Sequence, residues 1–178
     1  MIKNIKYIII ILFSLFVFIV LLKGLEKPNT YLPENISNKI ETNLTASMLY
    51  NDKEVSLEEL LRSGNYSLIN IWSSWCLPCR KEHSYLIILK KIKNINIIGI
   101  NYKDDVVNAK KFLKDLGNPY SKILVDRDGT KSIELGAYGV PETLLVNNKT
   151  NEIIKKYIGP LDDQKLKEII KIIENEKI

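Results

Sequence analysis

Cysteine and histidine are scarce in this chain: two cysteines and one histidine among 178 residues. So few thiols exclude a scaffold of structural disulfides. They also argue against a closed zinc site, which takes about four Cys or His ligands where Cys76, Cys79 and His83 offer three. Acidic residues are missing from residues 1–25, and residues 7–22 carry no charge at all. Three of the lysines behind the formal charge of +5 (Lys3, Lys6 and Lys23) lie in that stretch; without them, 23 basic residues face 21 acidic ones. What remains is a mixed, solvated surface with lysines interleaved among acids, which argues against a phosphate-binding footprint and against nucleic acid as a partner. A repeat of long period is also absent.

The two cysteines stand two residues apart in Trp72-Ser73-Ser74-Trp75-Cys76-Leu77-Pro78-Cys79, where an apolar run meets a helical pattern. At the first turn of a helix Cys76 lies beside unpaired backbone N–H groups and the positive end of the dipole, both of which favour thiolate over thiol. Cys76 is therefore expected to attack, and Cys79, within disulfide reach, to resolve the mixed disulfide. The expected chemistry is that of a redox dithiol, with no metal and no cofactor.

The 16 uncharged residues 7–22 are bracketed by Lys3, Lys6, Lys23 and Lys27. Residues 5–25 suffice to cross hydrocarbon if Lys6 and Lys23 snorkel. A cleaved signal peptide is the rival reading, against which stands the lack of a small-x-small cleavage pattern in residues 23–28. The expected organisation is an anchor at 1–25, a tether rich in Pro and Asn at 26–42, and one α/β domain at 43–178. Lys3, Lys6 and the terminal amine place the short N-terminus in the cytoplasm, so that the domain faces outward.

Within the domain, residues 47–50 and 53–55 flank a hairpin turn, and Ser56 with Glu59 forms a capping box for a short helix. Residues 66–72 read as a buried strand. Residues 80–93 read as an amphipathic helix with Tyr85, Leu86, Leu89 and Ile92 facing the core. A strand at 95–101, a helix at 104–116 closed by Gly117, a strand at 122–126, a hairpin of 143–147 with 153–158, and a helix at 161–175 complete a mixed sheet covered on both faces.

With these elements in place, Trp72 to His83, Asn101-Tyr102-Lys103-Asp104-Asp105, Gly117-Asn118-Pro119-Tyr120 and Tyr138-Gly139-Val140-Pro141-Glu142-Thr143 together make the chain resemble the thioredoxin superfamily. More narrowly it is similar to the membrane-anchored, TlpA-like DsbE/CcmG thiol:disulfide interchange proteins of cytochrome c maturation. The resemblance implies a thioredoxin fold with a central βα insertion and a single-pass anchor in a bacterial inner membrane, the catalytic domain lying in the periplasm. It implies reduction of apocytochrome c, or of a maturation protein, by Cys76 and Cys79, with a DsbD- or CcdA-type membrane donor restoring the dithiol. An anchored TlpA/ResA-like reductase serving another client, such as oxidase copper-site assembly, is the near alternative. A Sco-like copper chaperone is the alternative of another class; it needs a distant histidine, and here His83 stands beside the motif.

The resemblance further makes Pro141 a cis-proline facing the dithiol, with Val140, Pro141 and Trp75 at the substrate surface. Asn70 stands where thioredoxin has a buried aspartate, and an amide cannot exchange a proton. The expectation is therefore that Glu82, Glu142 or both relay the proton of Cys79; the competing reading of each is an ordinary surface acid. Trp72 is expected to be buried. His83 reads more simply as a packing or solvent-facing residue than as a base or ligand.

Overall fold

The structure is a computed structural model that describes residues 2–26, 39–40, 42–93 and 95–175. It falls into two units, the N-terminal helix and the remainder. The helix α1 (Ile2–Glu26) carries a predominantly apolar span at Ile5–Lys23, 19 residues with a mean hydropathy of 2.9 and every side chain exposed. At 1.5 Å per residue the span is about 28 Å, close to the roughly 30 Å of a bilayer's hydrocarbon. Most of the expected tether lies outside the described residues. Lys39 and Ile40, assigned to it by sequence, belong to the second unit: Ile40 is buried and donates its N–H to Asn151 O at 2.9 Å, and the Lys39 backbone bridges Glu152. An apolar side chain with a sheet edge in reach is better buried than left in a linker.

The second unit opens with a hairpin, β1 (Thr45–Ser47) and β2 (Glu54–Ser56). The first strand lies earlier than the expected 47–50 and ends at Ser47, because Met48 and Leu49 leave it for the main sheet, Met48 bridging Leu124 and Leu49 N–H donating to Ile123 O at 2.9 Å. Ser56 caps α2 (Leu57–Leu61) through Glu59 N–H at 3.2 Å. The chain then alternates β3 (Tyr66–Trp72), α3 (Leu77–Leu89), β4 (Ile95–Tyr102), α4 (Val106–Leu116) and β5 (Lys122–Asp126). A short α5 (Thr130–Glu134) follows, then the hairpin β6 (Glu142–Asn147) and β7 (Glu152–Ile158), and α6 (Asp163–Asn175).

The sheet order is β5-β4-β3-β6-β7, with β3, β4 and β5 parallel and β6 and β7 antiparallel. The dithiol strand β3 is central and buried along its whole length, so its period-2 alternation sorts side chains between two cores. Leu68 and Trp72 meet Leu86, Leu89, Phe112, Tyr120 and Ile169 on one face. Ile69 and Ile71 meet Leu57, Leu61, Leu135 and Leu144 on the other. The parallel part precedes the hairpin, and β5 with α5 supplies the central βα unit.

The largest departures from the sequence reading lie at α3, α6 and α5. The helix α3 begins at the dithiol and ends at Leu89, where Lys91 and Ile92 turn to three-residue hydrogen bonds on Ile88 and Leu89. The start of α6 is delayed to Asp163 because the Leu161 N–H is committed to the carboxylate of Glu82, at 2.8 Å, and Asp162 caps the helix through Lys165 N–H, at 2.8 Å. The unexpected α5 is held by the buried Asp126, whose carboxylate accepts from Lys131 N, Ser132 N and Ser132 Oγ. A five-residue helix capped from a neighbouring strand shows no periodicity of its own.

Candidate active site

Strand β3 ends at Trp72, and four residues later Cys76 forms the N-cap of α3 with extended backbone, φ −82° and ψ 109°. Its sulfur takes the place of a capping oxygen and accepts the Cys79 N–H at 3.1 Å. Pro78 sits in the first turn, where a missing N–H costs nothing. The two cysteines form a disulfide with Cα atoms 5.3 Å apart, both sulfur residues almost wholly buried. Around them Trp75 and Leu77 are 59% and 64% exposed, so the dithiol is bordered by apolar side chains that face solvent.

The turn between strand and helix is built from polar contacts. Asp104 accepts from Ser74 N at 2.6 Å, Ser74 Oγ at 2.7 Å and Asn101 Nδ2 at 2.9 Å. Trp75 Nε1 donates to Lys103 O at 3.0 Å, which fixes the exposed indole. Lys103 adopts a left-handed φ of 44° and donates its own N–H to Asp126 O at 2.8 Å. The Asn101 to Asp105 motif thus acts as a brace for the dithiol turn.

Beneath the dithiol, Glu82 lies one helical turn past Cys79 on the buried face of α3. Its two carboxylate oxygens accept from Asn70 Nδ2 at 2.9 Å and Leu161 N at 2.8 Å. Burial outweighs these donors and pushes the Glu82 pKa up to about 7. Asn70 also donates to Thr143 Oγ1 at 3.0 Å and accepts from Tyr120 OH at 2.8 Å. The amide that cannot itself titrate therefore joins three elements to the buried acid. Tyr120 stacks on Trp72 with centroids 5.3 Å apart, and Gly99 leaves room for the stack, since a Cβ there would lie 2.8 Å from Trp72 Nε1.

Glu142 occupies a different setting. In register it pairs with Ile71, so it lies on the sheet face opposite Thr143 and Asn70. Its Oε1 accepts from Tyr138 N at 2.7 Å and Gly139 N at 3.0 Å, and its Oε2 pairs with Lys156 Nζ at 2.8 Å. Neither Glu82 nor Glu142 is a surface acid; the structure joins Glu82 to the network under Cys79 and Glu142 to its own loop. The Val140–Pro141 peptide is cis, as the resemblance implied. Because Glu142 faces Ile71, Pro141 stands at the level of Trp72, at the same sheet end as the dithiol, and Val140 packs on the cluster holding both cysteines.

His83 is buried, and since a carbonyl only accepts, its Nε2 donates to Gly117 O at 2.8 Å. Its ring meets Phe112 edge-on at 5.1 Å, and burial lowers its pKa, which keeps the imidazole neutral. It is a packing histidine. Among the described residues, no three His, Cys, Asp or Glu side chains gather into a metal-binding cluster. Arg80 lies over Phe112 at 4.8 Å, and Lys81 faces solvent.

A mixed five-stranded sheet with a CxxC pair capping the helix after its central strand, and a cis-proline at the same sheet end, defines a thioredoxin-fold dithiol protein. The Redoxin family matches residues 35–172. This chain belongs to that family, and within it to the DsbE/CycY thiol:disulfide interchange proteins. The thiol:disulfide interchange protein CycY of Rhizobium leguminosarum bv. viciae is 44% identical over 113 residues, 64% of this chain; the chain spans 60% of that relative's length. The thiol:disulfide interchange protein DsbE of Pasteurella multocida is 37% identical over 137 residues, covering 74% of each chain. The crystal structure of a DsbF homologue from Corynebacterium diphtheriae superposes with a TM-score of 0.64 at 25% identity, covering 76% of this chain and 85% of that one.

Proposed function

We propose that this chain is a membrane-anchored thiol:disulfide oxidoreductase working as a reductant on the periplasmic side of a bacterial inner membrane. Its client is apocytochrome c, or a maturation protein holding it, and a DsbD- or CcdA-type membrane protein supplies electrons. The observation that carries this reading is a cysteine pair at a helix N-terminus, rimmed by exposed apolar side chains and underlain by a buried acid with a pKa of about 7. The anchor is α1, with Lys3, Lys6 and the terminal amine on the cytoplasmic side.

In the reduced protein the Cys76 thiolate, favoured by the first turn of α3, attacks one sulfur of the client disulfide and expels the other as a thiolate. Cys79 gives its proton to Glu82 and attacks the Cys76 sulfur; the Cys76–Cys79 disulfide forms and the second client thiolate leaves. Two electrons pass to the client, and Glu82 returns a proton to the departing thiolates through the site. Trp75, Val140 and Pro141 flank the client strand. Glu142 acts on the loop that carries Pro141.

The test is a Cys79→Ser variant, which stops the cycle after the first step. A covalent partner released by dithiothreitol, and carrying a Cys-x-x-Cys-His segment, is the expected result. Capture of an oxidase copper-site protein moves the client to a TlpA/ResA-like role. If nothing is captured while wild type turns over disulfides, Cys79 is not the resolving residue.

A further inference from the structure

We propose that Lys156 is a positioning residue for client recognition: one largely buried ammonium holds the segment around Val140–Pro141 in the shape that receives an extended, disulfide-bearing peptide. This rests on the oxidoreductase reading and adds to it a specificity residue that lies outside the dithiol and its proton relay.

Lys156 lies in the middle of β7, in register with Leu144 of β6, and its side chain is largely buried. A lysine ammonium has donors and no acceptor, and this one has one ion pair, one hydrogen bond and one ring contact. It pairs with Glu142 Oε2 at 2.8 Å, donates to Gly136 O, and stands 4.3 Å from the ring centroid of Tyr138. These partners lie on both sides of the cis peptide, at positions 136, 138 and 142. Through Glu142 the cation acts further, because the other oxygen of that carboxylate holds the N–H groups of Tyr138 and Gly139.

The segment so held forms one wall of an open cleft of about 250 Å³, lined by Tyr138, Val140, Pro141 and, from the end of β7, Ile158 and Gly159. Removing the ammonium leaves the Glu142 carboxylate buried without a countercharge, an arrangement relieved by turning the carboxylate toward water. The Tyr138 and Gly139 amides then lose their acceptor, and the wall of the cleft moves. The dithiol does not share these contacts: Cys76, Cys79, Glu82 and Asn70 are held by α3, β3 and Leu161 on the opposite sheet face. A small disulfide that needs only Cys76 is therefore indifferent to Lys156, whereas a peptide that lies along the cis-proline wall is not.

The experiment uses the full chain in detergent micelles, pre-reduced, in single-turnover reactions with a disulfide-bridged Cys-x-x-Cys-His peptide and with oxidised glutathione. For Lys156→Met the half-saturating peptide concentration rises about tenfold while the limiting rate and the glutathione rate stay within about twofold of wild type. Lys156→Arg restores the peptide value, and the Tyr138 and Gly139 amides exchange with solvent faster in the methionine variant while the Cys79 amide does not. Where the methionine variant fails to fold, Lys156→Gln keeps two N–H donors without the charge and shows the same split. Equal loss on both substrates, or an unchanged peptide half-saturation, overturns the proposal. If wild type reduces neither substrate, the oxidoreductase reading falls instead, before any variant is compared.

Discussion

Glu82 ties the stability of this protein to pH in a direction opposite to that of a salt-bridged carboxylate. Its pKa is 4.5 in the unfolded chain and about 7 in the folded one, because complete burial disfavours the charged form more than the donors from Leu161 and Asn70 favour it. Between those two values the unfolded chain has released the proton and the folded chain still holds it. Folding is therefore undisturbed by this group below pH 4.5 and loses stability as the pH rises, the loss being complete above 7. At 1.36 kcal/mol per pH unit the span corresponds to about 3 kcal/mol. The assay is urea unfolding of the oxidised full chain in micelles, followed by far-UV circular dichroism from pH 4 to pH 8, for wild type and Glu82→Gln. His83 contributes a slope of the other sign, since its lowered pKa costs stability as the pH falls, but it does so in both proteins and cancels in their difference. That difference shifts by about 3 kcal/mol in favour of the glutamine variant on going from pH 4 to pH 8. A flat difference, or one that shifts the other way, refutes the reasoning.

Asp104→Ala removes the acceptor of Ser74 N, Ser74 Oγ and Asn101 Nδ2 and is expected to cost about 2–4 kcal/mol in urea unfolding and to slow peptide reduction by the same preparation. Gly99→Ala drives a methyl group into Trp72 Nε1 and the Tyr120 ring, and a loss of about 1–3 kcal/mol is expected by the same assay. Cys79→Ser accumulates a mixed disulfide on non-reducing gels, and Cys76→Ser under the same conditions accumulates none.

Local signals carried most of the architecture. The mostly apolar run of β3, the Ser56 cap, the Gly117 stop and the hairpin ending in Ile158 are each set by neighbours in sequence, and each element stands where those neighbours indicate. The dithiol, its place at the start of a helix, the burial of Trp72 and the cis form of Pro141 were legible for the same reason or through the family resemblance. What was not legible depends on partners far apart in the chain. Asp104 braces Ser74 across 30 residues, Asn70 meets Tyr120 across 50 and Thr143 across 73, and Glu82 takes an N–H from Leu161 across 79. The Asn101 to Asp105 and Gly117 to Tyr120 motifs marked the right residues without saying what they hold. The sequence leaves open whether Glu82, Glu142 or both serve Cys79, and the two-residue period of β6 is what separates them: Thr143 points to Asn70, so Glu142 points away.

The indole of Trp75, pinned to Lys103 and standing in solvent next to Cys76, gives the molecule an optical consequence. The chain's only other tryptophan, Trp72, is buried against Tyr120 in the same segment. A disulfide accepts an electron from an excited indole and darkens it, whereas a pair of thiols does so far less. Tryptophan emission from this protein is thus confined to two rings within four residues of the reacting sulfur, and its brightness reports, without any added label, how many molecules in a sample hold their electrons.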